Sequence, residues 1–502
     1  MKPARMNAAR RLFLTFAAVS LILLTAGPAQ PVSFESSKNF TVGVNPVFVV
    51  TGNFNDNADD FTDIAVVNNV NERVSILLGD GDPNNPGFTN APSLAVGDSP
   101  LGAAVGDFNN DSHLDIAVAN FRGDSVSIHL GIGDGTFNKA PDCTGTTVNC
   151  LAGNGPIFIA VGHFNADTNL DLAVANHTSD NISILLGNGD GTFTEAPAVS
   201  PVSVGNQPVS IAVGDFSSPP DGILDLAVTN FAGKTVSILL ATGPGIFTPS
   251  DCTADSERCK VAGQPVSIVT GDFNGDGLPD LAVANELGKK VSILLRNPAP
   301  DVPTLGLFTK AKNFGLGNRT PISLTTADFN GDGALDLAAA HFPGNRLTVL
   351  LGNGDGTFGH RKSFSTPGGQ FAITTDDFNG DLKPDLAVAN GKLSVLINNT
   401  EFPGPAPSIE VTFPNGGESL NIGATETITW NFNDIIDSKV RIYISRDSGA
   451  TWKTLFKSTD NTGSLSWKVK KPADDQVRIK ICSADYPAIC DTSDADFAIV
   501  AP

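Results

Sequence analysis

The sequence predicts an all-β chain: a seven-bladed β-propeller of four-stranded blades, followed by a β-sandwich. Three observations carry this prediction. One phrase recurs seven times at spacings of 49 to 57 residues, a period that suits a four-stranded blade. Gly (51) and Pro (33) punctuate many short apolar runs, and no helix-period stretch appears. All three Trp and both Tyr lie from residue 430 onward, which marks a second unit. Against 53 acidic residues stand 32 basic ones, a formal charge of −21. That balance excludes a non-specific nucleic-acid binder and argues against docking on anionic lipid. With 41% hydrophobic and 17% charged residues, the chain has the composition of an ordered protein.

Residues 1–29 read as a secretory signal. Lys2, Arg5, Arg10 and Arg11 precede an apolar run from Leu12 to Leu24, and Ala26-Gly27-Pro28-Ala29 follows as a small-residue cleavage site. The run is short for a membrane span, and no later stretch is apolar enough for one. The expectation is a chain outside the cytoplasm: secreted, extracellular or on the cell surface, with the periplasm as the alternative. Six Cys fall into close pairs, Cys143/Cys150, Cys252/Cys259 and Cys482/Cys490. In an exported chain these are expected to be disulfides, because each pair brackets one polar loop.

Residues 30–400 hold the repeats. The clearest copy of the phrase is Gly271-Asp-Phe-Asn-Gly-Asp-Gly-Leu-Pro-Asp280, followed by Leu-Ala-Val-Ala-Asn285. Each repeat offers four strands. The first resembles Val209–Val213 and the second the Leu/Ile-Ala-Val run. The third is the Ser-Ile-Leu-Leu run of Ile182–Leu186. The fourth opens at a Phe after a Gly-Asp-Gly-Thr turn, as at Phe137, Phe193 and Phe358. The last repeat lacks its Phe strand, whereas the chain begins with an orphan copy. Residues 33–42 are therefore expected to close the seventh blade and remove its exposed edge. Residues 401–407, rich in Pro, read as a stiff linker. Residues 408–502 carry about seven short alternating runs, such as Val440–Ile444, and fit an immunoglobulin- or fibronectin-like β-sandwich.

The recurring phrase opens a loop with oxygen-bearing side chains at positions 1, 3, 5 and 9. Alternate residues of a tight turn share one concavity, so the carboxylates would repel unless a hard cation lay between them. Calcium, with six to eight oxygen ligands in flexible geometry, suits this set. The candidate ligands are Asp272, Asn274, Asp276 and Asp280, and Asp328, Asn330, Asp332 and Asp336, both with Gly at position 6. Asp107, Asn109, Asp111 and Asp115, and Asp377, Asn379, Asp381 and Asp385, have Ser112 and Leu382 there instead. Two copies share an insertion: Asn53, Asn55, Asp59 and Asp63, and Asp215, Ser217, Asp221 and Asp225. The third copy has Asn165, Asp167 and Asp171 but begins with His163, so it is expected to bind weakly or not at all. The bland alternative is seven Asx-type turns that need no ion.

At this point the chain resembles the FG-GAP repeat family, which includes the integrin α-subunit propeller. Residues 34–399 carry the Asp-Phe-Asn-Gly-Asp-Gly-x-x-Asp phrase and the upstream Gly-x-x-Pro of Gly43–Pro46, Gly97–Pro100 and Gly205–Pro208. Phe371 departs from the pattern where the last Pro would stand. The resemblance implies a seven-bladed propeller with calcium in loops on one face and ligand binding usually on the other. It implies a fold more firmly than a function.

Arg122-Gly123-Asp124 reads as ordinary turn chemistry rather than an adhesion tripeptide, and Ser445–Trp452 resembles an Asp-box hairpin. The three Trp are expected in the core of the C-terminal unit. No catalytic residues are assigned, since the six His lack metal spacing and the regular carboxylate pairs belong to the loops. The expected role is non-catalytic binding or adhesion by a monomer, with a protein or glycan partner. The rivals are a secreted polysaccharide hydrolase or lyase, and a lectin acting through the C-terminal domain. Residues 34–399 contain no Trp or Tyr, which disfavours a sugar platform on the repeats.

Overall fold

A computed structural model describes residues 31–56, 61–80, 82, 86–140, 150–196, 201–217, 220–250, 260–297, 307–309, 312–402, 408–433, 439–483 and 490–501. The secretory segment, Asp59, Cys143, Cys252, Cys259 and residues 403–407 of the linker lie outside the described residues. The chain divides into two compact units, Met1–Pro403 and Gly404–Pro502. Every regular element among the described residues is a strand.

The first unit contains seven sheets of antiparallel pairs, each built on a path of four strands. The first is Pro46–Gly52, Asp63–Asn68, Arg73–Gly79 and Phe88–Asn90 in that order, and the next five repeat it. In every sheet the second strand, such as Asp115–Asn120 or Asp280–Asn285, is buried along its whole length. A strand covered on both faces explains the unbroken Leu-Ala-Val-Ala runs, which lack a polar side. Small Ala at alternate positions lets neighbouring sheets approach. Ala117 and Ala119, for example, share a core cluster with Leu172 and Val174 of the next sheet.

The first strands touch in sequence around the unit, from Pro46–Gly52 to Pro100–Gly106 and onward to Ala372–Asp376, which meets Pro46–Gly52 again. Ser side chains stitch part of this circuit. Ser210, Ser267 and Ser323 accept the N–H groups of Ile268, Leu324 and Ile373 on the following sheet at 3.4, 3.1 and 3.3 Å. The seventh sheet is Ala372–Asp376, Asp385–Ala389 and Leu393–Leu396, with Lys38–Phe40 antiparallel to Leu393–Leu396 as its fourth strand. Phe34 also bridges to Asn398. Between Phe34 and Lys38 this strand has one residue more than its partner, so the pairing is interrupted by a bulge. Phe371 uses the N–H that a Pro would lack: it donates to Ala389 O at 2.8 Å.

The second unit has a three-stranded sheet, Ser408–Phe413, Thr425–Asn433 and Ser464–Lys468, and a six-stranded sheet that includes Lys439–Ser445 and Asp474–Ser483. Their apolar faces share one core containing Trp430, Trp467, Ile442, Ile479 and Phe497. The third Trp departs from expectation. Trp452 follows the Asp-box turn and is half-buried, with the Lys480 ammonium 5.6 Å from its ring centroid. It precedes the strand Lys453–Asp460 and so belongs to no core-facing alternation, and the ring lies beside Tyr443 and Lys480 instead. Cys482 and Cys490 form a disulfide, and Cys150 is also disulfide-bonded.

Candidate functional site

The position-9 Asp begins the second strand of each sheet and is fully buried in all seven. In Asp280 one carboxylate oxygen accepts the N–H of Phe273 at 2.9 Å, and the other accepts the N–H of Arg296 at 2.7 Å. The same fork occurs at Asp63, Asp115, Asp171, Asp225, Asp336 and Asp385. Each fork ties the loop to the end of the third strand across the sheet. Sequence reasoning read this Asp only as an ion ligand. Its clamp role depends on a residue 13 to 16 positions away, which the loop phrase does not contain.

Burial raises the pKa of these carboxyls, to about 7 in Asp115 and Asp280 and about 8 in Asp336 and Asp385. The backbone N–H bonds oppose the rise, and the carboxylates at positions 1 and 5 add to it by like-charge repulsion. The loop therefore concentrates negative charge beside a desolvated carboxylate.

Positions 1, 3 and 5 shape the turn. Asp272 accepts the N–H groups of Gly275 and Gly277, both at 2.7 Å, with one on each oxygen. Asn274 Nδ2 donates to Asp276 Oδ2 at 3.0 Å, and Asp276 Oδ1 accepts Leu278 N–H at 2.9 Å. The loop from Asp328 repeats this wiring; those from Asp107 and Asp377 keep the bond to the position-6 N–H, with the Asn-to-Asp bond only in the former and the position-4 N–H bond only in the latter. At position 6, Gly277 and Gly333 have φ of 79° and 85°; Ser112 and Leu382 adopt the same left-handed conformation at 72° and 66°. That costs non-Gly residues local strain.

The other loops differ. His163 Nδ1 meets the carbonyl of Asn169 at 2.9 Å, so the ring occupies the position-7 oxygen of the third loop, beside Asn165, Asp167 and Asp171. In the first loop Asn53 Oδ1 accepts Asn55 N–H at 3.3 Å, near the buried Asp63. In the fourth, Asp215, Asp221 and Asp225 accept Gly222, Ile223 and Phe216 N–H groups, and Ser217 Oγ donates to Asp225 at 3.2 Å.

Among the described residues no group of three or more His, Cys, Asp or Glu side chains forms a ready-made metal cage. The oxygens are instead spent on N–H groups; Asp272 Oδ1 alone accepts those of Asn274, Gly275 and Asp276. A carboxylate oxygen with a single donor, such as Asp276 Oδ1, retains a second lone pair, and rotation of the position-3 amide would replace its N–H with an oxygen. In the second, fifth, sixth and seventh loops the donor set of hard, crowded oxygens fits a cation of the calcium type.

A second recurrent pair marks the opposite end of the same strand. Asn68, Asn120, Asn176, Asn230 and Asn285 are buried and donate to Ser75, Ser127, Ser183, Ser237 and Ser292 on the third strand. The sixth sheet substitutes His341 with Thr348, at 2.8 Å. The Gly of Gly-x-x-Pro lies on this Asn: a Cβ on Gly97 would be 2.5 Å from Asn120 Cγ. The repeated Asn was visible in the sequence, but its partner was not.

Asp124 accepts Gly155 N–H at 2.8 Å, so the Arg-Gly-Asp carboxylate is used in joining two turns. In the Asp-box hairpin, Asp447 accepts from Ser445 and Thr451, which holds its pKa down at about 2.

The FG-GAP-like repeat model matches residues 57–118, 107–174, 163–218, 220–283 and 328–388. No curated protein matches the chain. Among solved structures, a humanized mutant of the Chaetomium thermophilum Polycomb Repressive Complex 2 bound to the inhibitor GSK343 is 10% identical with a TM-score of 0.50, covering 75% of this chain and 99% of that one. BBS1N in complex with ARL6DN is 15% identical (TM-score 0.48; 74% and 98% covered). The periplasmic gluconolactonase of Pseudomonas aeruginosa is 13% identical (TM-score 0.43; 64% and 85% covered). At 10% identity the likeness to the first of these concerns fold alone, and together with the repeated four-stranded sheets that fold is propeller-like. Because the matched segments span more than half of the sequence, the chain belongs to the FG-GAP-like repeat family.

Proposed function

We propose that the chain is an exported, calcium-stabilised seven-bladed β-propeller with an immunoglobulin-like β-sandwich, and that it works as a non-catalytic binding module for a protein ligand. The observation that carries this reading is the wiring of the loops. The carboxyls with the most strongly raised pKa are each held by two backbone N–H groups in a structural fork, a poor arrangement for a general acid or base. Calcium would be held by positions 1, 3, 5 and 9, and would supply charge compensation.

The end of the first unit opposite the Asp loops suits a protein ligand. Its turns expose Val44, Val70, Leu287 and Phe342 at 58, 64, 68 and 42% of their surface, large apolar side chains without a sugar-stacking Trp or Tyr. The full chain immobilised with calcium should capture an extracellular protein that a Val70→Asp/Leu287→Asp variant does not. Polysaccharide turnover abolished by an acidic substitution outside the loops would overturn the reading.

One observation favours a second activity on the C-terminal unit. Tyr443, Trp452, Lys480 and Cys482 line a cavity of about 160 Å³. Two aromatic faces and an ammonium suit a saccharide. A glycan array probed with wild type and Trp452→Ala tests it, and identical profiles would sink it.

A further inference from the structure

We propose that Arg296 is the built-in counter-cation of the fourth Asp loop, and that this loop closes on the guanidinium without taking up calcium. The second clause rests on the calcium reading of the other loops. In most repeats the carbonyl at loop position 2 is capped by the next sheet. Gly135, Gly191, Gly245 and Gly356 donate their N–H to Phe54, Phe108, Phe164 and Phe273 at 2.8 to 3.0 Å. These glycines belong to the turn before the fourth strand. The fifth repeat has no Gly-Asp-Gly-Thr turn; after Leu295 it runs Arg296-Asn297-Pro298. Arg296 Nη2 takes over the cap, donating to Phe216 O at 2.6 Å and to Ser217 O at 3.3 Å.

The replacement brings a charge with it. Arg296 is 3% exposed, and it also donates to the neutral carbonyls of Asn297 and Leu307 at 3.0 Å. A guanidinium does not shed its proton in a protein, so burial requires opposite charge nearby. Asp225, Asp215 and Asp276 provide it: their fields counter the desolvation of the guanidinium. The first two are positions 9 and 1 of the fourth loop. A divalent ion entering that loop would meet a buried guanidinium already bonded to the loop's Phe216 and Ser217 carbonyls, its charge acting on the same carboxylates. The loop is also satisfied internally, through Gly222 N–H on Asp215 at 2.8 Å, Ile223 N–H on Asp221 at 2.9 Å, and the Ser217 hydroxyl on Asp225 at 3.2 Å. In the sixth loop the equivalent cap is the amide of Asn398 on Phe329 O at 2.9 Å, which is neutral and leaves that loop its full demand for a cation.

Two measurements on the full chain test the proposal. The first is a thermal-stability cycle in chelator with Arg296→Met, Asp215→Asn and the double variant. If the two groups compensate each other, the double variant melts no lower than Arg296→Met alone; additive losses overturn the counter-cation. The second counts bound calcium by equilibrium dialysis. Asp221→Ala should leave the count unchanged, Asp276→Ala should lower it by one, and Arg296→Met should raise it by one. A count that falls by one in Asp221→Ala overturns the closed fourth loop. A wild-type chain that binds no calcium at all overturns the calcium reading and, with it, the second clause, while the cycle still decides the first.

Discussion

Asp280 accepts the N–H groups of Phe273 and Arg296 while burial pushes its pKa up to about 7. Asp276 is exposed, and its carboxylate accepts only within its turn, from Asn274 Nδ2 and Leu278 N–H. The two substitutions should therefore separate fold from ion. Asp280→Ala leaves two buried N–H groups unpaired and should cost about 3 kcal/mol even in chelator, measured by urea unfolding. Asp276→Ala should cost little in chelator and show its effect only with calcium present. His341 supplies a pH test. It is 2% exposed and its pKa is lowered to about 4 by desolvation. The unfolded chain takes up a proton near pH 6.5 that the native state refuses until about pH 4, so this site's contribution to stability is lost as pH falls through that window. Replacing it with the Asn of the other sheets, His341→Asn, should reduce the acid-induced loss between pH 6.5 and 4 by about 3 kcal/mol. Unfolding curves that fall in parallel for both proteins would contradict this.

Each loop Phe is part of a staple between neighbouring sheets. Phe54, Phe108, Phe164 and Phe216 meet Phe137, Phe193, Phe247 and Phe308 edge-to-face at 5.6 Å, and Phe273 meets Phe358 at 5.8 Å. The last two staples pair Phe329 with Phe34 and Phe378 with Phe88, both at 6.0 Å. The abundance of Phe is thus tied to a contact between elements. Phe needs no hydrogen-bond partner in a dry interface, whereas a Tyr hydroxyl would. Phe273→Ala should cost about 3–5 kcal/mol, and Phe273→Leu, which keeps most of the volume, about 1–2 kcal/mol. A urea midpoint unchanged by Phe273→Ala would show that the staple contributes nothing.

At the scale of the molecule, the ends of the first unit meet in one sheet. Lys38–Phe40 covers the edge of Leu393–Leu396, and Val32 packs with Phe329 and Leu386 in the adjoining core. Removing residues 31–42 would bare a strand of unpaired N–H and C=O groups. The truncated chain should melt at lower temperature and self-associate with rising concentration, read by light scattering. The proposed calcium would act on the same scale, because a ligand bound only by the native state stabilises it. Complete chelation should lower the melting temperature of the full chain, and restoring calcium should reverse the change.

Much of this was legible in the sequence. The Leu-Ala-Val-Ala runs, the Asp-Gly turns and the seven Asp phrases announced repeated four-stranded sheets, because strand patterning and turn chemistry are local properties. The crowded oxygens of the loop were equally local, since they lie within nine residues. What the tertiary structure decided concerns partners distant along the chain. The position-9 Asp binds the end of the third strand, the Gly of Gly-x-x-Pro makes room for a buried Asn, and Arg296 reaches back 80 residues to the Phe216 carbonyl. Trp452 lies outside the core because it precedes the strand Lys453–Asp460 and so has no place in its alternation. A repeat states which residues recur. Only packing determines which copy of a neighbour each one meets, and whether its charge is answered by an ion or by another side chain.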